Sequence, residues 1–260
     1  MGSAEVQGQL WGAAARAWSE LTEPHCAPIY ETVFDAIGLD SGMALLDAGC
    51  GAGLALQLAA KRGASVSGFD ASAPLLEVAR ERVPDAVLEQ GDLETLPFGD
   101  DTFDAVTAFN SVQYAADRSA ALQEIARVAK PGAPIGVLVW GRADQCETVS
   151  ILGAIGSLLP PPPPGAEGPF ALAEPGALDD LVSAAGLTPS ASGEAHMAFE
   201  FPDLDTAVRA QLCTGPARMA IDRAGENAVA GALRDAYASS RQPDGSYRQA
   251  NVFTYVVARS

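Results

Sequence analysis

Residues 45–53 read LLDAGCGAG. Three glycines alternate at Gly49, Gly51 and Gly53, directly after the apolar run Met43-Ala44-Leu45-Leu46, and a helix-compatible stretch, Leu54–Arg62, follows at once. A strand that ends in a glycine turn and feeds a helix is how doubly wound α/β folds bring bare backbone up to a nucleotide. Glycine is needed because the chain must turn tightly and because a Cβ would hit the ligand. The spacing discriminates between ligands. A dinucleotide loop wants G-x-G-x-x-G/A, with a small third residue where helix and strand pack closely. Counting from Gly49, that position is Leu54, which is too large. The loop is G-x-G-x-G instead, with the acidic Asp47 two places ahead of it. An NAD-linked oxidoreductase is therefore the disfavoured alternative.

The next pieces come in a fixed order. Ala64–Phe69 alternates apolar residues as a second strand would and ends in Asp70, 19 residues after Gly51. That is close to the roughly 20 expected of an acidic ribose ligand at the end of strand two. One carboxylate can accept from both ribose hydroxyls; the competing reading is that Asp70 only caps the helix starting near Ser72. Residues 91–98, GDLETLPF, precede DDTFDAV and a fourth strand, Phe103–Phe109, after which comes Asn110-Ser111-Val112-Gln113-Tyr114. The run ALQEIARVAKPGAPIGVLVW then places Leu122, Ile125 and Val128 on one helical face, stops at Pro131-Gly132 and enters a fifth strand.

In this order the elements resemble the class I S-adenosylmethionine-dependent methyltransferases acting on small molecules, whose first motif runs D/E-x-G-x-G-x-G. The resemblance implies an α/β fold with a doubly wound seven-stranded sheet, Rossmann-like with its last strand antiparallel, an N-terminal helical lid and a substrate cap insertion. It implies S-adenosyl-L-methionine as methyl donor and S-adenosyl-L-homocysteine as product. Asp47, Ala48, Gly49 and Gly51 would surround the methionine end, Asp70 and Ala71 the ribose, and Asp92 and Leu93 the adenine. Asn110 and Ser111 would face the methyl donor and the substrate. Beyond strand five the family needs one helix, read at Pro175–Ala185, and two strands, read at Ala195–Phe201 and Asn251–Ala258.

The organisation that follows is a helical lid over 1–40, a donor-binding core over 41–140, and the rest of the sheet with cap insertions over 141–260, all in one domain. In the lid, Val6–Leu21 carries Leu10, Trp11, Ala14, Ala17, Trp18 and Leu21 at helical spacing. After Pro24 a second helix spans Ile29–Ile37. Trp11 and Trp18 are candidates to shield the sulfonium by packing and cation–π attraction; equally, they could pin the helix to the domain. The surplus segments, Gly141–Glu174 and Leu204–Tyr237, are read as the cap. Within the first, Pro160–Pro164 would form a stiff polyproline II spacer.

Net charge is −17, with only two lysines, Lys61 and Lys130. A polyanion would be repelled, and no basic stripe interleaves with aromatics, so nucleic acid is not an expected partner. No apolar run approaches the roughly 18 residues of a membrane span. Residues 1–11, MGSAEVQGQLW, lack the character of a signal peptide, and Val6 stands where a myristoylation signal needs Ser or Thr. With four scattered cysteines and no C-x-x-C pair, reduced thiols and a cytoplasmic setting are expected. No His/Asp/Glu cluster suggests a metal. The partner is then a small, largely apolar acceptor, methylated at oxygen, carbon or nitrogen, with Arg142, Arg209, Arg218 and Arg223 leaving room for a carboxylate or diphosphate. If the nucleophile must lose a proton, His25, His196 and Gln113 are the candidate catalytic residues, with Glu23 and Tyr30 behind them. Pocket motifs do not specify acceptor chemistry, so a donor-binding protein turned to a cyclase or lyase reaction stays open as an alternative.

Overall fold

The computed structural model describes residues 3–161 and 168–260. In chain order the helices and strands are α1 (Ala4–Gly12), α2 (Ala15–Leu21), α3 (Ala27–Ile37), β1 (Ala44–Ala48), α4 (Leu54–Lys61), β2 (Ser65–Asp70), α5 (Ala73–Arg82), β3 (Val87–Gln90), β4 (Ala105–Phe109), α6 (Arg118–Val128) and β5 (Pro134–Trp140). There follow α7 (Val149–Gly156), α8 (Ala177–Ala184), β6 (Thr188–Phe201), α9 (Leu204–Leu212), α10 (Gly215–Ala224), α11 (Glu226–Ala236) and β7 (Tyr247–Arg259).

The sheet runs β3-β2-β1-β4-β5-β7-β6. The first five strands pair in parallel and β7 lies antiparallel between β5 and β6. Helices cover both faces, so the central strands are buried on both sides and read as near-continuous apolar runs: every residue of β4, AVTAF, is buried. One face packs Ile29, Val33 and Phe34 of α3 and Ala55 and Ala59 of α4 against Leu45 and Leu138. The opposite face packs Leu122, Ile125 and Val128 of α6 and Val182 of α8 against Leu46, Val106 and Val137. Helix starts are set by side-chain caps: Ser72 accepts from the Leu75 amide, Asp117 from Ala120, Asp203 from Thr206 and Thr214 from Ala217. The seven-stranded architecture with its antiparallel insertion is the one expected.

Boundaries moved in three places. The single helix expected over Val6–Leu21 is two, broken at Ala13–Ala14. Gly12 ends α1 packed tightly against α5, where a Cβ would come within 2.6 Å of the Ser72 hydroxyl and 3.2 Å of Pro74. The outer strands are longer than expected, β6 beginning at Thr188 and β7 at Tyr247. The added residues, such as TPSASGE, have weak strand character; they extend because β6 and β7 pair along their whole length. The second surplus segment is helical throughout, as α9, α10 and α11, with α11 packed on α7 and α9 and α10 packed on α1. Of the proline run, Pro162–Pro164 lie outside the described residues.

Candidate functional site

The carboxyl ends of the parallel strands open into one cleft, which the glycine loop enters from β1. The Gly49 and Cys50 amides both donate to the Phe69 carbonyl, at 2.7 and 3.0 Å, and so tie the loop to the end of β2. Gly49 has φ 92°, and a Cβ there would sit 2.2 Å from that of Ser111. Only glycine fits, because the turn after β4 crosses at this point. Gly51 differs. Its φ is 54°, and an added Cβ would meet only Glu23 Oε1, at 3.8 Å, so its bare backbone faces the cavity.

Four carboxylates line this half of the cleft: Glu23, Asp47, Asp70 and Asp92. Asp47, at the core of the sheet, accepts from the Thr107 hydroxyl at 2.8 Å. Burial pushes its pKa up to about 7, with the Thr107 bond opposing and Asp70 and Glu23 adding repulsion. Asp70 accepts from the Gly51 amide at 2.9 Å and the Ser72 amide at 2.8 Å, and burial raises its pKa against those bonds. Ser72 itself caps α5, so Asp70 is released from capping and braces the glycine loop. Asp92 accepts from Glu94 at 3.1 Å and lines the cleft beside Gly91 and Leu93.

Glu23 comes from the 3₁₀ turn between α2 and α3. It is 3 % exposed, pairs with Arg82 at 2.5 Å and accepts from the Leu54 amide at 3.4 Å, at the first turn of α4. Burial raises its pKa, and Arg82 opposes the rise. The N-terminal segment is thereby locked onto the glycine loop. Trp11 and Trp18 meet edge to face at 5.1 Å, line the cleft, and pack beside Leu75 and Val78 of α5, so each ring is both wall and anchor.

The other half of the cleft is aromatic. Tyr30 stacks on Phe109 at 4.6 Å, and Trp140 stacks on Phe253 at 4.5 Å. Phe199 and Leu152 continue the wall, and Thr148, Gln211 and Thr214 contribute buried polar groups. Burial pushes the Cys26 thiol up to about 12 and the Tyr30 hydroxyl well above its ordinary range, so both stay protonated at neutral pH. Among the described residues, no Lys, Arg or His lines the cleft.

That last fact corrects several expectations. His196 alternates outward on β6, between the buried Ala195 and Met197, and stands exposed at 3.9 Å from Glu194. His25 turns from the cleft: its ring packs on Phe199 and Phe201, with Nε2 2.9 Å from the Glu200 carbonyl and Nδ1 3.2 Å from that of Thr22. Gln113 does not line the cleft either; its amide reaches Asn110 at 3.5 Å and its Oε1 is buried without a partner. Arg142, Arg209, Arg218 and Arg223 lie outside the lining, Arg142 held by Asp144 and Arg218 by Asp222. Ala48 is buried at the end of β1, where its carbonyl accepts from Ser111 at 2.6 Å. Asp47, Gly49, Gly51, Asp70, Ala71, Asp92, Leu93, Asn110, Ser111, Trp11 and Trp18 all line one cavity. Asn110 does so in the left-handed region, at φ 50°, a conformation asparagine tolerates better than most residues.

Trp140, Thr148, Gln211, Thr214 and Phe253 line the cleft without having been singled out. Trp140 had a usable signal, since it ends the fifth parallel strand and ligands gather at such ends. The others come from α9, the turns before α7 and α10, and β7, and nothing in their local sequence marks them.

The comparisons agree with this geometry. Residues 46–136 match the family model described as a methyltransferase domain. Methyltransferase GfsG of Streptomyces halstedii is 36% identical over 133 residues, covering 47% of this chain and 48% of that protein. The ubiquinone biosynthesis O-methyltransferase of Alkalilimnicola ehrlichii is 33% identical over 154 residues, 55% of this chain and 62% of that one. Among solved structures, the 4+2 cyclase SpnF superposes with a TM-score of 0.58 at 22% identity, over 89% of this chain and 80% of that chain. Residues 46–136 are thus similar to a methyltransferase domain, and the stretch around them to these curated methyltransferases. The matched stretch spans about half the length of the curated relatives. Among the described residues, no helix is long and apolar enough to cross a membrane.

Proposed function

We propose that this protein transfers the methyl group of S-adenosylmethionine to a small neutral acceptor held in the aromatic half of the cleft. The observation that carries the reading is the continuity of one cavity from the glycine loop to the Tyr30, Trp140 and Phe253 rings. The lining also fits the donor's charge. Four carboxylates and no cation suit a ligand bearing a sulfonium and an ammonium, and they oppose the pyrophosphate of a dinucleotide.

The chain's own contribution is placement and exclusion of water. Gly51 offers bare backbone, Asp70 can accept from ribose hydroxyls while bracing the loop, and Asp92 and Leu93 bound the far end. Asp47 supplies negative charge near the loop, since an approaching cation favours its ionised form. The bound donor supplies an electrophilic methyl group on a positively charged sulfur. Among the described residues, no protonatable side chain lining the aromatic half is poised to take a proton at neutral pH, because Cys26 and Tyr30 hold theirs. This favours acceptors whose nucleophilic atom is already deprotonated or sheds its proton to water.

The test is calorimetric binding of S-adenosylmethionine followed by S-adenosylhomocysteine formation over a panel of neutral phenols, enols and amines. Donor binding with turnover of a panel member is the expected result. Tight donor binding with conversion of an acceptor but no S-adenosylhomocysteine would favour a non-methylating reaction, the kind of activity the structural neighbour SpnF is named for.

A further inference from the structure

The polar groups of the aromatic half are not equivalent. The Thr148 hydroxyl lies 3.5 Å from Gln249 Oε1, its amide donates to Asn251 at 3.1 Å, and Gln249 donates on to Ser240 at 3.1 Å. The Thr214 hydroxyl donates to the Gln211 carbonyl at 2.8 Å and caps α10. Both are satisfied within the protein. The Gln211 side chain is less fully engaged: it faces the Tyr237 hydroxyl, and among the described residues no other hydrogen bond to its amide is found, although Gln211 is only 3 % exposed and lines the cleft. The Tyr237 hydroxyl is itself buried and, among the described residues, has no partner besides Gln211. An amide offers donors on its nitrogen and acceptor positions on its oxygen, and proteins rarely bury one with most of these unfilled unless a ligand or water completes it. α9, which carries Gln211, is fixed in place from below, the Thr22 hydroxyl donating to the Ala210 carbonyl at 2.8 Å.

We infer that Gln211 is the specificity-determining residue of the acceptor site, and that the acceptor is a neutral, flat, unsaturated ring compound carrying a hydroxyl or carbonyl that bonds to the Gln211 amide. The ring is set by the walls: Tyr30, Phe109, Trp140, Phe199 and Phe253 present aromatic faces and edges, and Leu152 an apolar one. Neutrality is set by the absence of any basic side chain in the described lining and by the acids around the glycine loop. The oxygen is set by the amide, which offers both donor and acceptor and would disfavour a hydrocarbon of the same shape because its cleft-facing positions would stay unfilled. This rests on the methyl-donor reading above, because S-adenosylhomocysteine is taken to complete the wall facing Asn110.

The experiment uses the full chain saturated with S-adenosylhomocysteine and titrated calorimetrically with 1-naphthol, naphthalene and 1-naphthoate, for the wild type and Gln211→Met. Methionine keeps the length of the side chain and removes the amide. The wild type should bind 1-naphthol about tenfold tighter than naphthalene, one good hydrogen bond's worth, and 1-naphthoate more weakly than 1-naphthol. In Gln211→Met the two neutral probes should fall within about twofold of each other, with S-adenosylhomocysteine affinity unchanged as the control on folding. A variant that keeps the wild-type preference, a wild type that does not discriminate, tighter binding of 1-naphthoate, or no binding of either neutral probe would each overturn the assignment. Failure of the wild type to bind S-adenosylhomocysteine would instead overturn the donor reading.

Discussion

The two halves of the cleft are built in opposite ways. From Asp47 to Ser111, one stretch of chain supplies most of the glycine-loop half, with Glu23, Trp11 and Trp18 added from the N-terminal segment, and it does so largely with backbone and carboxylates: the Gly51 amide on Asp70, the Ser72 amide on Asp70, the Glu94 amide on Asp92. The aromatic half draws on α3, β4, β5, β6, α9, β7 and the turns before α7 and α10, and it is made of side chains whose polar needs are mostly met inside the protein. A backbone site tolerates little variation, because its geometry is the turn itself. A side-chain site on many elements can be rebuilt one residue at a time. The contrast suits a fold in which one donor is shared and acceptors differ.

The comparison breaks most visibly at Glu23, which belongs to the N-terminal segment yet supports the loop. Glu23→Ala should leave Arg82, 17 % exposed, without its partner and cost about 3 kcal/mol of stability, measurable by urea unfolding. If the loss is near zero, the segment is not locked to the loop by this pair. Next in size, Asp70→Ala should weaken S-adenosylhomocysteine binding by about 1.5–3 kcal/mol, roughly ten- to a hundredfold, without altering the probe preference read in the aromatic half. Unchanged donor affinity in a folded variant would remove Asp70 from the site.

On the aromatic side, Phe199→Leu should weaken acceptor binding by about 1 kcal/mol while donor affinity stays the same, since only a ring contact is lost. An equal effect on both ligands would show that the halves are not separable there. The smallest effect concerns pH. Asp47 has its pKa raised from 3.8 to about 7, so between those values the folded protein holds a proton that the unfolded chain has released. Stability without ligand should therefore fall as pH rises through that window, and the raised Glu23 and Asp70 act in the same direction. A cationic donor favours the ionised form, so S-adenosylmethionine affinity should climb as pH rises toward about 7 and level off above it. Asp47→Asn should flatten that climb; a climb of the same height in the variant would assign it elsewhere.

Legibility followed the same divide. Glycine spacing, an acid ahead of the loop and another at the end of strand two are local features, so residues 45–53 and Asp70 could be read from the chain directly, whereas Asp92 came only with the family resemblance. The helical period of Leu122, Ile125 and Val128 likewise marked α6 before any fold was known. Gln211, Thr148 and Phe253 left no such trace. An apolar period shows that a residue is turned inward, and it does not say whether the inside is core or cavity. Within the first segment read as the cap, Ile151 and Ile155 belong to the core while Leu152 lines the cleft. The histidines misled for a related reason: their chemistry was suitable, but strand alternation and a 3₁₀ turn decide direction, and both point elsewhere.

α1 rests on both halves at once. Gly8 lies so close to the Ala71 carbonyl that an added Cβ would sit 2.5 Å from it, and Trp11 abuts Gly215 of α10 so closely that a Cβ on that glycine would sit 2.7 Å from the indole nitrogen. Ser3 adds a hydrogen bond to the Tyr114 carbonyl. A helix seated this way cannot lift from one compartment while still closing the other. On the methyl-transfer reading proposed above, departure of the spent donor and departure of the product would share a single gate, and the pace of a cycle would be tied to how fast α1 swings clear rather than to how tightly either molecule is held on its own.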